Sequence, residues 1–302
     1  TLFNRIFNSA IDIEIYRYSS EIENICAFYK NKKISYDSAK FFLETYADET
    51  LYSQMMGRNT NFRFNDLSSV FQSTKKKIYI KRLFSEGDSV IPNLINKLRP
   101  ILHFSTHNIL SHSEILFQSF KEKTRFINIV RHPAYMVHQQ ALNHIEFKKN
   151  SARQLIQTFK YKNQEIPIFW KDNPKLYLDL KNPFEKAIHQ MNIIAKLSVA
   201  EEKKISLHYS KFFFKIPFEK FVLHPDPFIK KIEKFLHIKF DTNFYKSLKN
   251  EKVPRTKVID GRNASIYRKY GWVKGTPSFS EKDEIENKLI SVFKTGISDK
   301  YK

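Results

Sequence analysis

The chain has 302 residues, 41% of them hydrophobic, enough to bury the core of one large α/β domain or two small ones. Its 52 Lys and Arg against 31 Asp and Glu give a formal charge of +21, a field that favours anionic partners such as a nucleotide, an acidic polysaccharide, nucleic acid or an anionic membrane. One cysteine, Cys26, excludes an internal disulfide and a cysteine-based zinc site, no apolar run is long enough for a membrane span, and no His/Asp/Glu spacing suggests a metal.

In chain order, Thr1 to Phe7 reads as a helix with no beginning, and Ile13 to Tyr18 as a short strand. Ser20 is positioned to cap a helix from Glu21 to about Tyr29. A Glu in a first helical turn commonly just complements the helix dipole, so Glu21 carries a bland reading beside any catalytic one. Cys26 lies among apolar helix residues, as a buried thiol does. Residues 36–48 and 66–73 read as helices, Ile78-Tyr79-Ile80 as a short strand, and Ile91 to Leu98 as a helix. Residues 100–107 form a buried-strand pattern that ends in Ser105-Thr106-His107. A His at a strand's carboxyl end is well placed for chemistry, although a lone His is more often structural.

Residues 125–130 are a further strand pattern, followed by Arg131-His132-Pro133. Pro133 pre-sets φ for a first helical turn, and Val137, Ala141 and Ile145 give that helix one apolar face. An Arg between a strand end and a helix start is a place where α/β proteins hold phosphate, or simply a solvated Arg. Aromatic stretches at 166–170 and 176–178 suit either a sugar-binding groove or a core. Asn182-Pro183-Phe184-Glu185 has the spacing of a capping box and opens a helix to about Lys203. A strand at 212–216 follows, then a helix capped by Asp226, whose Phe228, Ile229, Ile232, Phe235 and Leu236 share a face. Val253 to Trp272 is a basic, aromatic loop, and Ser280 is placed to cap a last helix. Alternating strands and helices predict an α/β fold, a parallel β-sheet flanked by helices. No break in composition divides residues 1–302 into more than a single domain.

Several of these stretches resemble the sulfotransferases that use 3′-phosphoadenosine 5′-phosphosulfate (PAPS), a family with P-loop NTPase-like architecture. The strand ending in Arg131-x-Pro133 is similar to the family's second nucleotide-binding segment. There the Arg binds the 3′-phosphate, together with a helix residue eight positions on. That residue is usually Ser and is Gln139 here. Thr1-Leu2 resembles the end of the family's phosphate loop, whose first strand and glycines would lie upstream. The order of strand, Pro turn and helix through Phe235-Leu236 resembles a late family segment. Arg268-Lys269-Tyr270-Gly271-Trp272 resembles the core of its closing loop, with Arg262 a further candidate for the 3′-phosphate.

The resemblance implies sulfuryl transfer from PAPS, as co-substrate and without a metal, to an acceptor hydroxyl or amine. It gives the chain two rival bases. Ser19-Ser20-Glu21 resembles a Ser-Ser-Glu of the heparan-type N-sulfotransferases, whose Glu is the base. Ser105-Thr106-His107 resembles the Lys-Thr-His of other members, without the Lys. That missing Lys and the Ser-Ser-Glu spacing favour Glu21 over His107. Charge and the Glu21 spacing point to a saccharide or other anionic acceptor. Rival readings are a P-loop kinase, which needs a Mg²⁺-binding carboxylate that no strand end clearly offers, and a basic nucleic-acid-binding module, for which no motif appears. A relative that binds nucleotide without catalysis is a third. The expected location is cytoplasmic, with a membrane-anchored lumenal enzyme as the other possibility.

Overall fold

The structure is a computed structural model that describes residues 2–15, 17–64, 66, 68–147, 157–261 and 281–301. In chain order it runs α1 (Leu2–Asn8), β1 (Arg17–Tyr18), α2 (Ser20–Lys30), α3 (Tyr36–Met55), α4 (Lys76–Arg82) and α5 (Ile91–Leu98). Next come β2 (Phe104–Ser105), α6 (Glu114–Phe120), β3 (Phe126–Val130), α7 (Pro133–Phe147), β4 (Thr158–Tyr161) and β5 (Gln164–Pro167). The chain continues through α8 (Pro174–Asp179), α9 (Pro183–His208), β6 (Phe213–Pro217), α10 (Phe218–Leu223), α11 (Asp226–Leu236) and α12 (Thr242–Asn250). The last helix is α13 (Glu281–Phe293). It is a mixed α/β protein, mostly helical, and no described helix is long and apolar enough to cross a membrane.

The strands do not join into the single parallel sheet that the alternation suggested. Among the described residues they form three two-stranded sheets: β1 with β2, β3 with β6, and β4 with β5. β1 and β2 are parallel, Arg17 opposite Phe104 and Tyr18 opposite Ser105. The flanking residues continue alongside each other, Glu14 N–H donating to Ile101 C=O at 2.9 Å and Ser19 N–H to Ser105 C=O at 3.1 Å. β4 and β5 form an antiparallel hairpin.

Contacts divide the chain into two compact units: Thr1–Phe126 with His224–Pro254, and Ile127–Leu223 with Arg255–Lys302. In the first, Ile22 and Cys26 of α2, one turn apart, pack with Ala39 and Leu43 of α3 and with Ile109, Ile115 and Leu116. Cys26 is the buried thiol its neighbours implied. Phe240 stacks on Phe244 of α12 with ring centroids 3.6 Å apart. In the second unit, Val137 and Ala141 of α7 meet Phe184 and Ala187 of α9, closed over by Val292 and Ile297. The aromatic stretch after β5 is core there. Ile166, Trp170 and Tyr177 are buried together, and the Trp170 indole N–H donates to Gln190 Oε1 at 3.1 Å.

Four local expectations are corrected. Ile78-Tyr79-Ile80 is helical, within α4, because Tyr79 alone is buried while Ile78 and Ile80 face solvent. Lys75 and Arg82, four before and three after Tyr79, turn to the same side, which only a helix allows. Of the described residues among 66–73 only Val70–Gln72 is helical, one 3₁₀ turn. The proposed capping box of α9 does not close: Asn182 caps it, but Glu185 accepts from Ser298 N–H at 2.8 Å. Asp226 begins α11 and its side chain makes no cap bond.

Candidate active site

Because β1 and β2 run parallel, their carboxyl ends open at the same edge of the first unit. After β1 the chain turns into α2. Its N-cap is Ser19, one residue earlier than expected: the Ser19 hydroxyl accepts from Ile22 N–H at 3.2 Å and is fully buried. That register places Glu21 and Glu23 in the first turn, where carboxylates interact favourably with the helix dipole, by ~0.3–1 kcal/mol each. After β2 the chain passes through Thr106 to His107.

Glu23 joins the two segments. Its Oε1 accepts from the His107 backbone N–H, 84 positions away in sequence, and lies 3.6 Å from His107 Nδ1. Its Oε2 accepts from the Tyr18 hydroxyl at 3.1 Å. The Tyr18 and His107 rings pack with centroids 4.9 Å apart. Glu23 is sheltered, 15% exposed in its side chain, while His107 is 71% exposed. A carboxylate oxygen facing Nδ1 favours the tautomer with its proton there, which leaves the lone pair on Nε2. This is the geometry of a proton acceptor with an orienting partner.

Glu21 sits in a different setting. Its Oε2 accepts from the Tyr46 hydroxyl of α3 at 3.1 Å, and the Ser19 and Ser20 hydroxyls each lie 3.4 Å away. These hydroxyls hold the Glu21 carboxylate in place at the open edge. Asn4 of α1 completes the edge, its amide donating to Ser105 Oγ at 3.0 Å.

The opposite end of β1 holds a third carboxylate. Glu14 is buried and accepts from both Arg82 guanidinium nitrogens, at 2.7 and 2.8 Å, and from the Tyr79 hydroxyl at 2.5 Å. Burial alone would raise its pKa, but Arg82, Tyr79 and Lys75 outweigh that and hold it below the usual carboxylate value. Burial brings the Lys75 ammonium down to about 8, against the pull of Glu14. Its Nζ donates to the Ala10 and Ile13 carbonyls. Every polar atom that the group presents to Glu14 is a donor, so this end is scaffold.

In the second unit, Arg131 stands between β3 and α7, as its sequence context suggested. Its guanidinium carbon lies 4.9 Å from the Phe218 ring centroid and 5.5 Å from that of Tyr135. Arg131 Nε is buried without a hydrogen bond, 4.0 Å from Glu219 Oε1, which accepts instead from His132 N–H at 3.0 Å. Such a donor fits an anion, although Glu219 offsets part of the charge. Arg255 lies against the same Phe218 ring, at 5.7 Å. Gln139 is on α7, eight positions after Arg131. Thr1, Arg262, Arg268 and Lys269 lie outside the described residues.

The structure thus brings Glu21 and His107 to the end of one parallel strand pair, and adds Glu23, which the sequence reading passed over. Its signal was present: Glu21 and Glu23 both fall in the first turn of α2, directly after β1. What was missing was the strand register that sets His107 beside that turn.

The chain matches no protein-family model and no curated protein. Among solved structures it aligns with a "Sulfotransferase Domain from the Curacin Biosynthetic Pathway" at 12% identity, over 95% of this chain and 92% of that one, with a TM-score of 0.40. A likeness that loose supports no inference about site or activity, which rest on the residues above.

Proposed function

We propose that the protein is a sulfotransferase that uses PAPS as co-substrate and sulfates a hydroxyl or amine of a saccharide or another anionic acceptor. The observation that carries the reading is the strand-end cluster, in which a sheltered Glu23 faces an exposed His107 beside the Ser-Ser-Glu turn of α2. PAPS, when bound, supplies the sulfuryl group and a phosphate leaving group. His107 Nε2 takes the proton that the acceptor hydroxyl or amine gives up as it attacks sulfur, and Glu23 steadies the resulting imidazolium. Glu21, held by Tyr46 and the two serines, orients the acceptor by accepting a hydrogen bond from it, and is the rival base. Arg131, with its buried Nε lacking a hydrogen bond, keeps the role of binding the 3′-phosphate, and Gln139, Thr1, Arg262, Arg268 and Lys269 keep theirs as nucleotide contacts.

Calorimetric titration of 3′-phosphoadenosine 5′-phosphate into the protein, with Arg131→Ala alongside, tests this. Micromolar binding that the variant loses is the expected result. Absence of binding, with clear binding of ATP–Mg²⁺ or of nucleic acid instead, would sink the sulfotransferase reading and promote the kinase or the nucleic-acid module.

A further inference from the structure

The 64–84 stretch of the first unit carries an exposed face that the proposed chemistry does not use. Phe64 is 68% and Phe84 85% exposed, and Phe71, Ile78, Ile80 and Leu83 are also open to solvent. Phe64 packs its ring on Phe71 at 5.5 Å, in the 3₁₀ turn that contacts α4. Tyr79, Lys75 and Arg82 anchor α4 to the buried Glu14, which fixes the face it turns outward. On that outward face Lys77, Ile80, Lys81 and Phe84 fall at helical spacing, with Lys76 and Ile78 beside them. Lys76, Lys77 and Lys81 are all exposed, and no Asp or Glu occurs between Asp66 and Glu86.

Isolated exposed apolar residues are ordinary, but a run of large ones mixed with lysine marks a contact surface. Three occupants fit less well than a fourth. A second copy paired through the same face would set three lysines against three lysines with no acid to offset them. An anionic polysaccharide would use the lysines and leave the phenylalanines in water, and a single-stranded nucleic acid, which stacks its bases on aromatic rings, would leave Ile78, Ile80 and Leu83 uncovered. An anionic bilayer uses both: lysines at the headgroups, and Phe64, Phe84 and the isoleucines in the acyl boundary. We propose that this face docks the protein on an anionic lipid surface. This is peripheral attachment, independent of the sulfotransferase reading.

Cosedimentation with phosphatidylcholine vesicles, with and without phosphatidylserine, tests it on the full chain. The variants are Lys76→Gln/Lys77→Gln/Lys81→Gln and Phe64→Ser/Phe84→Ser, all at exposed positions, with folding checked by circular dichroism. The wild type should sediment with phosphatidylserine vesicles and stay free with neutral ones. The lysine variant should lose on the order of a hundredfold in partitioning, at roughly fivefold per basic residue. The phenylalanine variant should lose about tenfold or more. Failure of the wild type to bind anionic vesicles overturns the proposal. So does lysine-dependent binding that the phenylalanine variant retains, which is the signature of a polyanion site. A dimer in equilibrium sedimentation that the phenylalanine variant abolishes would assign the face to a second copy instead.

Discussion

The two ends of β1 hold carboxylates only a few residues apart in sequence but opposite in character. Glu14 is sealed in, gripped by both nitrogens of a guanidinium and by a phenol. Glu21 and Glu23 lie at the open end, and their partners are hydroxyls, a backbone amide and an imidazole. A guanidinium stays protonated at any working pH, so the Arg82–Glu14 pair holds charge without moving a proton. An imidazole can move one, and it is solvent-exposed while its carboxylate is not. The difference shows how one short strand serves as a fixed post at one end and a reactive edge at the other. Parallel pairing with β2 puts both segments' carboxyl ends on the same side.

The comparison predicts loss of rate at one end and loss of stability at the other. The largest effect is expected from His107→Ala, which should lower sulfuryl transfer from radiolabelled PAPS by about 10²–10⁴-fold with the melting temperature little changed. If His107→Ala keeps its rate and Glu21→Gln loses it, the base is Glu21. At the sealed end, Arg82→Met should cost ~3–5 kcal/mol in urea unfolding, because it strands a buried carboxylate. Adding Glu14→Gln should recover part of that, and an additive double mutant would show that the pair is not coupled.

Acid should act on stability in two stages. Burial holds His103 down to about 3, and His112 and His138 each to about 4. Their unfolded value is 6.5. Below that the unfolded chain takes up protons that the folded chain refuses, so the histidines' contribution is full above pH 6.5 and falls as pH drops towards 4. The Glu14 contribution, from a pKa held below 4.5, persists longer and is lost as pH falls through the lowered value. A melting temperature that stays flat from pH 7 to 4 would contradict this. A smaller effect is expected from Glu23→Gln: about tenfold in rate, because the imidazole loses the carboxylate that orients it. Tyr46→Phe should be smallest, ~0.5–1.5 kcal/mol at most, and confined to the Glu21 side.

Much of the local structure was legible in the residues. Pro133 and the four-residue spacing of Val137 and Ala141 gave α7, and Asn182-Pro183 gave the start of α9. Ile78-Tyr79-Ile80 misled because a three-residue alternation looks the same in a strand and on a helix with one buried contact. Glu185 satisfied the capping spacing, yet a backbone N–H from residue 298 competes for the same oxygen. For the site, residue type and position drew attention to His107 and Arg131, the family resemblance added Glu21, and local pattern could go no further.

The sequence by itself determined the starts of α7 and α9, their apolar faces, the excess of positive charge and the exclusion of an internal disulfide. Those depend on near neighbours and on composition. Only the tertiary structure decided that Glu23 rather than Glu21 faces His107, that Glu14 is locked by Arg82, and that the strands stop at pairs. Each of these depends on groups 68 or more positions apart, for Glu14 with Arg82, and 84 for Glu23 with His107. Meeting over such distances is fixed by the register of a parallel strand pair and by what is buried around it, neither of which a local pattern contains.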